Sequence, residues 1–183
     1  MRNSFAVRFR VKLLSLSLVF VASWMMGFSS WAFAADNIKF KGTLVQQACS
    51  VATADADISV DFESINDKDL YANTRTSSRP FSLKLSDCKL TVAKTVSVTF
   101  SGAPNTKITG ALLIPGDKGI AVGLEDKNGA AIKVDDEKIY PLTAGSNVLD
   151  FKAYIIGEPD ALQNKTIVLG DFSSIANFTL DYP

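Results

Sequence analysis

The chain has 183 residues with 19 basic and 19 acidic side chains, and it contains no histidine. The missing histidine removes the commonest general base and metal ligand, so serine and cysteine catalytic sites that depend on histidine are excluded. The balanced charge includes no basic cluster outside the first residues, which argues against nucleic-acid binding.

The N-terminal residues have the features of a secretory signal peptide. Four of the first 12 residues are basic, residues 13–28 are apolar without a charge, and Ala32 and Ala34 give the small-x-small pattern of a cleavage site. The alternative is a membrane anchor, but the apolar run is shorter than the roughly 20 residues that span a bilayer. We therefore predict that residues 1–34 are a signal peptide cleaved between Ala34 and Ala35. The mature chain would have 183 − 34 = 149 residues and a net charge of 15 − 19 = −4, enough for one domain.

Apolar and polar residues alternate through most of the mature chain, which is typical of half-buried β-strands. The alternating segments are 36–45, 58–62, 81–85, 92–100, 120–124, 132–134, 149–155 and 176–182. Asn128-Gly129 lies between two of them and predicts a hairpin. The polar segment 66–80 predicts a long loop, and 158–164 predicts a single helical turn. Because no segment sustains a 3.6-residue period, we expect an all-β sandwich.

The chain has two cysteines, Cys49 and Cys88, and both lie in the exported part. In an oxidising compartment they most simply form one disulfide. Closing this loop of 40 residues would remove about 4 kcal/mol of freedom from the unfolded chain. A redox-active pair is the alternative, but such pairs usually have the closer Cys-x-x-Cys spacing.

Acidic residues are the remaining candidates for chemistry. Asp135-Asp136-Glu137 could supply a pair of carboxylates for acid–base catalysis, but three acids between strands are more often an exposed turn. Asp55, Asp57 and Asp61 suggest calcium, yet they lack the glycine and terminal glutamate of an EF-hand loop. We therefore expect no catalytic residue, no metal site and no cofactor.

The two ends of the mature chain each have an apolar face. Ala176, Phe178, Leu180 and Tyr182 share one face of the final segment, and we expect no later segment to cover it. The segment before Cys49 likewise places Ile38, Phe40, Gly42 and Leu44 on one face. Exposed apolar strands are aggregation hazards that proteins normally avoid. Two such strands at opposite ends suggest that molecules exchange strands.

Several segments together resemble a known family, the pilins of chaperone–usher fimbriae (type 1 and P pili). The resemblance covers essentially the whole mature chain, and each segment alone is a weak signal. The segments are the extension 35–44 leading to Cys49, Phe81 to Cys88, Val96 to Gly102, Gly170 as the fourteenth residue from the C-terminus, and the final alternation with a penultimate tyrosine.

The resemblance implies an incomplete immunoglobulin-like sandwich that lacks its final strand and is completed in trans. Residues 35–48 would be a donor-strand extension and residues 49–183 the pilin domain. A periplasmic chaperone would first fill the groove, and at an outer-membrane usher the extension of a neighbouring pilin subunit would replace it. The donated face would be Ile38, Phe40, Gly42 and Leu44. The groove and chaperone-binding face would include Gly170, Phe172, Ala176, Phe178, Leu180 and Tyr182.

The implied function is that of a structural subunit, exported through the periplasm and assembled into an adhesive fimbria at the cell surface. It would bind no nucleic acid and no small-molecule substrate. Segments 158–162 and 168–172 are most similar to an adaptor subunit that joins fimbrial tip segments, so we expect a minor or adaptor pilin. The alternatives are a major rod-forming pilin and a self-sufficient periplasmic immunoglobulin-like binding module. A secreted hydrolase is disfavoured by the missing histidine.

Overall fold

A computed structural model of the protein describes residues 46–52 and 56–183. In chain order the elements are α1 (Asp67–Asn73), β1 (Arg79–Cys88), β2 (Thr95–Gly102), β3 (Leu112–Leu113), β4 (Ile120–Asp126), β5 (Ala131–Ile132), β6 (Glu137–Pro141), β7 (Gly145–Gly157), α2 (Pro159–Asn164) and β8 (Ala176–Asp181). Helix α2 is the predicted helical turn. No helix in the described ranges is long and apolar enough to cross a membrane.

The strands form two antiparallel sheets. The larger sheet has the order β1-β7-β4-β3, and β5 also pairs with β4; the smaller sheet has the order β6-β2-β8. Alternate residues of each sheet face a shared apolar core. The predicted all-β sandwich is confirmed.

Aromatic side chains join the two sheets through this core. Phe100 of β2 meets Phe151 of β7 edge-to-face, with ring centroids 5.0 Å apart. Phe81 of β1 contacts both of them, at 6.0 Å from Phe100 and 5.6 Å from Phe151. Edge-to-face pairs at such distances add about 0.5–1.5 kcal/mol beyond the apolar area that they bury. The alternation of 81–85, 92–100 and 149–155 in the sequence therefore reflects one common core.

The hairpin expected at Asn128-Gly129 is present between β4 and β5. Asp126 Oδ1 accepts hydrogen bonds from the backbone N–H groups of Asn128 and Ala130, at 2.8 and 2.9 Å. Gly129 has a φ of 88°, a conformation that glycine adopts without steric cost. This prediction is confirmed.

The prediction that 66–80 is entirely a loop was wrong, because helix α1 occupies Asp67–Asn73. Asn66 caps the helix, since its Oδ1 accepts a hydrogen bond of 3.0 Å from the N–H of Lys68. The helix ends where Thr74 turns left-handed and its N–H donates to the carbonyl of Leu70. Only Leu70 of α1 is buried, so a seven-residue helix leaves no apolar period in the sequence.

A buried carboxylate lies on the face of the larger sheet that is turned away from the core. Glu125 of β4 is 4% exposed and accepts hydrogen bonds from Ser78 Oγ at 2.5 Å and from Arg75 Nη2 at 3.0 Å. The Arg75 guanidinium also stacks over the Tyr154 ring, 3.6 Å from its centroid. These contacts fasten the segment after α1 to strands β4 and β7.

The N-terminal end of the described chain is fastened to β1. Cys49 and Cys88 form a disulfide, which is the predicted pairing. Beside it, the backbone N–H groups of Ser50 and Ser86 each donate to the other residue's carbonyl at 2.8 Å. The point where the N-terminal segment joins the domain is therefore fixed.

Candidate functional site

Strand β8 pairs with a single strand of the described part of the chain. It pairs with β2, where Phe178 lies opposite Phe100 and Leu180 lies opposite Val98. Directly opposite residues share a face, so Phe178 and Leu180 face the core side of the sheet. Within the described ranges no strand pairs with the other edge of β8. The outward N–H and C=O groups of such an edge are available to an added strand.

Facing this edge is the segment 56–65, in which Ile58, Val60 and Phe62 pack against the core. The predicted strand at 58–62 was wrong, because these residues pair with no described strand. The alternation in the sequence correctly indicates which side chains point inward. It carries no information on whether the backbone has a partner.

Between β8 and segment 56–65 lies an open cleft of about 1030 Å³. Its floor is the apolar core itself, with residues from five strands. These are Phe81, Leu83, Phe100, Leu112, Val122, Leu124 and Ala153. An apolar floor between two walls that pair with no described strand suits an extended chain with alternating apolar residues.

Phe62 and Phe172 bring the two walls of the cleft into contact. The rings of Phe62 and Phe172 are 6.3 Å apart between centroids and tilted by 39°. The loop that carries Phe172 is held in place, since Ser174 Oγ donates a hydrogen bond of 2.8 Å to the carbonyl of Leu113. Gly170, at the start of this loop, has a φ of 111°, which a side chain would disfavour.

Four of the predicted groove residues line the cleft, namely Gly170, Phe172, Ala176 and Phe178. Leu180 and Tyr182 do not line it, but both pack against the core further along the chain. The phenol oxygen of Tyr182 is buried and has no hydrogen-bond partner in the described part of the chain. Burial raises the pKa of the Tyr182 phenol.

Sequence reasoning missed most of the floor of the cleft. Val122, Leu124 and Ala153 were expected in strands and Leu112 was not, and nothing in the local pattern of these four residues indicates that a cleft reaches them. The sequence feature that could have indicated the cleft is the alternation at 58–62, which lies in the wall that faces β8.

The predicted donor residues Ile38, Phe40, Gly42 and Leu44, and the predicted cleavage site at Ala34 and Ala35, lie outside the described residues. Asp135-Asp136-Glu137 lies exposed just before and at the start of β6. The described ranges contain no group of three or more side chains placed to hold a metal ion.

Known proteins similar to this chain are fimbrial. The model of the family described as "Fimbrial protein" matches residues 38–183. A putative minor fimbrial subunit, PmfF of Proteus mirabilis strain HI4320, is 28% identical over 79% of this chain and 83% of its own length. The fimbrial adapter PapK of Escherichia coli is 29% identical over 81% of this chain and 88% of its own length.

A solved structure shows the same fold. The P pilus rod subunit PapA superposes with a TM-score of 0.67 and 25% identity, covering 75% of this chain and all of PapA. A second solved structure, that of a chaperone–usher pilus, superposes with a TM-score of 0.66 and 25% identity over 80% of this chain and 94% of its own length. The chain therefore belongs to the fimbrial protein family, and it is a structural subunit of a chaperone–usher pilus at the cell surface.

Proposed function

We propose that this chain is a minor or adaptor subunit assembled by donor-strand exchange. In this proposal, the cleft beside β8 accepts the N-terminal extension of a neighbouring subunit. The chain's own extension, through Ile38, Phe40, Gly42 and Leu44, enters the cleft of the next subunit. A periplasmic chaperone occupies the cleft first and delivers the subunit to an outer-membrane usher, after removal of residues 1–34.

The observation that carries this proposal is the open cleft whose two walls, the outer edge of β8 and segment 56–65, pair with no described strand. An inserted strand can bond to the free edge of β8 on one side and to residues 56–65 on the other. It also covers core side chains such as Leu112 and Val122, which line the cleft. Of the predicted groove residues, Phe172 and Phe178 have the largest side chains that line the cleft.

A truncated chain tests the mechanism. We expect a chain lacking residues 35–44 to accept the extension of a neighbour but to fill no neighbour's cleft. A sample that contains only the truncated chain should therefore show no multi-subunit assemblies in native mass spectrometry. A matched control replaces 35–44 by a glycine–serine segment of the same length, and it should fail in the same way. Chain formation by either variant would contradict donor-strand exchange.

A fusion that fills the cleft from the same chain gives a second measurement of the same mechanism. Residues 36–44 joined after Pro183 through a flexible linker should raise the unfolding temperature, because they fill the cleft intramolecularly. If the unfused protein already melts cooperatively and the fusion adds nothing, the chain is a self-sufficient immunoglobulin-like module.

The position in the fibre rests on different observations. Similarity to PapK and PmfF supports a minor or adaptor role. Similarity to the rod subunit PapA supports the alternative, a major rod-forming pilin. Quantitative mass spectrometry of purified fimbriae distinguishes them, since a minor subunit should be present in a few copies and a rod subunit should be the most abundant.

A further inference from the structure

We propose that the cleft selects strands with a basic solvent-facing edge, and that its occupant is the extension of a second copy of this chain. This inference rests on the proposed function, because it assumes that the cleft accepts a strand. It adds which strand the cleft prefers.

Among the residues that the structure describes, every charged side chain that lines the cleft is acidic. These residues are Asp57, Asp61, Glu63 and Asp171, and all four are exposed. Among the described residues, no lysine or arginine lines the cleft. Arg79 Nη2 lies 2.8 Å from Glu63 Oε2, but the other three carboxylates have no ion-pair partner among the described ion pairs. The rim of the cleft therefore has a net negative charge.

The chain's own extension has the complementary pattern. Lys39 and Lys41 alternate with Ile38, Phe40 and Gly42 in its sequence. Successive side chains of a strand point to opposite faces. A strand that directs Ile38 and Phe40 to the apolar floor therefore directs Lys39 and Lys41 to the solvent, between walls that carry carboxylates.

Charges on neighbouring strands discriminate between occupants that share an apolar face. Opposite charges directly across from one another stabilise a pair of strands, and like charges destabilise it. These groups are exposed, so each effect is small and is screened by salt. The negative rim also speeds the encounter with a positive strand. A minor subunit with this preference would form short runs of identical copies.

The first experiment compares peptides on the full-length protein. Fluorescence anisotropy measures the binding of a labelled peptide of residues 35–47 and of its variants Lys39→Gln/Lys41→Gln and Lys39→Glu/Lys41→Glu. At low ionic strength we expect the acidic variant to bind about ten-fold more weakly than the natural peptide, with the neutral variant between them. The ratio should shrink towards one at about 1 M salt.

The second experiment reverses the charge of the cleft. Asp61→Lys/Asp171→Lys should bind the acidic peptide more tightly than the natural one. Because Asp61 Oδ1 also accepts a hydrogen bond from the N–H of Glu63, Asp171→Lys alone serves as a second variant and should shift the preference in the same direction. The matched control is Glu137→Lys, an exposed acid on β6, which β2 separates from β8. It should leave the preference unchanged.

The outcomes separate this inference from the proposed function. Equal affinity for all three peptides would overturn the charge preference and leave the cleft as a strand acceptor. Tighter binding of the acidic peptide by the unmodified protein would assign the cleft to an acidic strand from another protein. If no peptide binds at any salt concentration, the proposed function itself fails, and this inference fails with it.

Discussion

Glu125 combines burial with two hydrogen-bond donors, and this combination decides its pKa. Burial alone raises the pKa of a carboxyl, but the bonds from Ser78 and Arg75 and the charges of Arg75 and Lys152 outweigh it. The pKa of Glu125 therefore lies below its ordinary value of 4.5. A lowered pKa in the folded state means that the ionised group stabilises the fold above about pH 4.5. This contribution is lost as the pH falls through the folded-state pKa.

We predict that Glu125→Gln flattens the acid side of the stability curve. The measurement is the free energy of urea unfolding between pH 7 and pH 3 for both proteins. The unmodified protein should lose stability more steeply below about pH 4.5, because Glu125 must then take up a proton. Identical pH profiles would show that this carboxylate contributes nothing to acid sensitivity.

Arg75 and Arg79 form a matched pair for a second prediction. Arg75→Ala should lower the free energy of unfolding by about 1–3 kcal/mol, because it leaves the buried Glu125 with Ser78 as its remaining donor. Arg79→Ala removes an ion pair whose side chains are 43% and 69% exposed, so it should cost less than about 1 kcal/mol. Equal losses in urea unfolding would contradict the different burial of the two pairs.

The site residues show which features of the cleft can be predicted from a sequence pattern. Phe178 was predicted from alternation and from the family resemblance, Phe172 from the resemblance alone, and both line the cleft. Tyr182 shares the alternation of Phe178 but lies beyond the cleft. Alternation identifies a face of a strand, whereas the length of the cleft depends on where the opposite wall runs.

Helix α1 and strand β6 are elements that sequence periodicity failed to predict, and the cap of α1 can be tested. Asn66→Ala should lower the free energy of urea unfolding by about 0.5–1 kcal/mol. The loss is at the low end for a cap because Asp67 Oδ1 also accepts from the N–H of Lys68, at 2.9 Å. Asn73→Ala, in the last turn of the same helix, is the control and should be close to neutral. A larger loss for Asn73→Ala would show that α1 is not stabilised through this cap.

The strand predictions were correct where two conditions coincide. Segments 81–85, 120–124 and 149–155 alternate in the sequence, and their backbones have partners in the larger sheet. Segment 58–62 alternates as clearly, yet it borders the cleft and pairs with no described strand. Period two is therefore a signal of one-sided burial, and backbone pairing is a separate property decided by tertiary structure.

The floor of the cleft is formed by tertiary structure and by no single segment of the sequence. Its residues come from β1, β2, β3, β4 and β7, which lie far apart in the sequence. The fold class could be predicted because the longer strands, such as β1, β4 and β7, each carry their own alternation. The cleft could not be located without the family resemblance, because its position depends on which strand edge has no partner.

The disulfide acts at the same scale, because Cys49 and Cys88 are 39 residues apart. Replacing both by alanine should lower the free energy of unfolding by about 4 kcal/mol, since the unfolded chain regains the freedom of this loop. Chemical unfolding of the double variant measures the loss. Reduction of the unmodified protein should give a loss of similar size, and an unchanged unfolding midpoint after complete reduction would contradict the prediction.

The junction at Cys49 also has a mechanical consequence. If neighbouring subunits are linked through the extension, tension along a fibre enters each subunit at residue 49. There a covalent bond passes the load to the end of β1, and the paired backbones of Ser50 and Ser86 share it. From Arg79–Cys88 the load spreads along the ladder with β7, in the interior of the larger sheet. The pulling force would thus reach β7, which pairs with both β1 and β4. Segment 56–65, which pairs with no described strand, would carry little of this force.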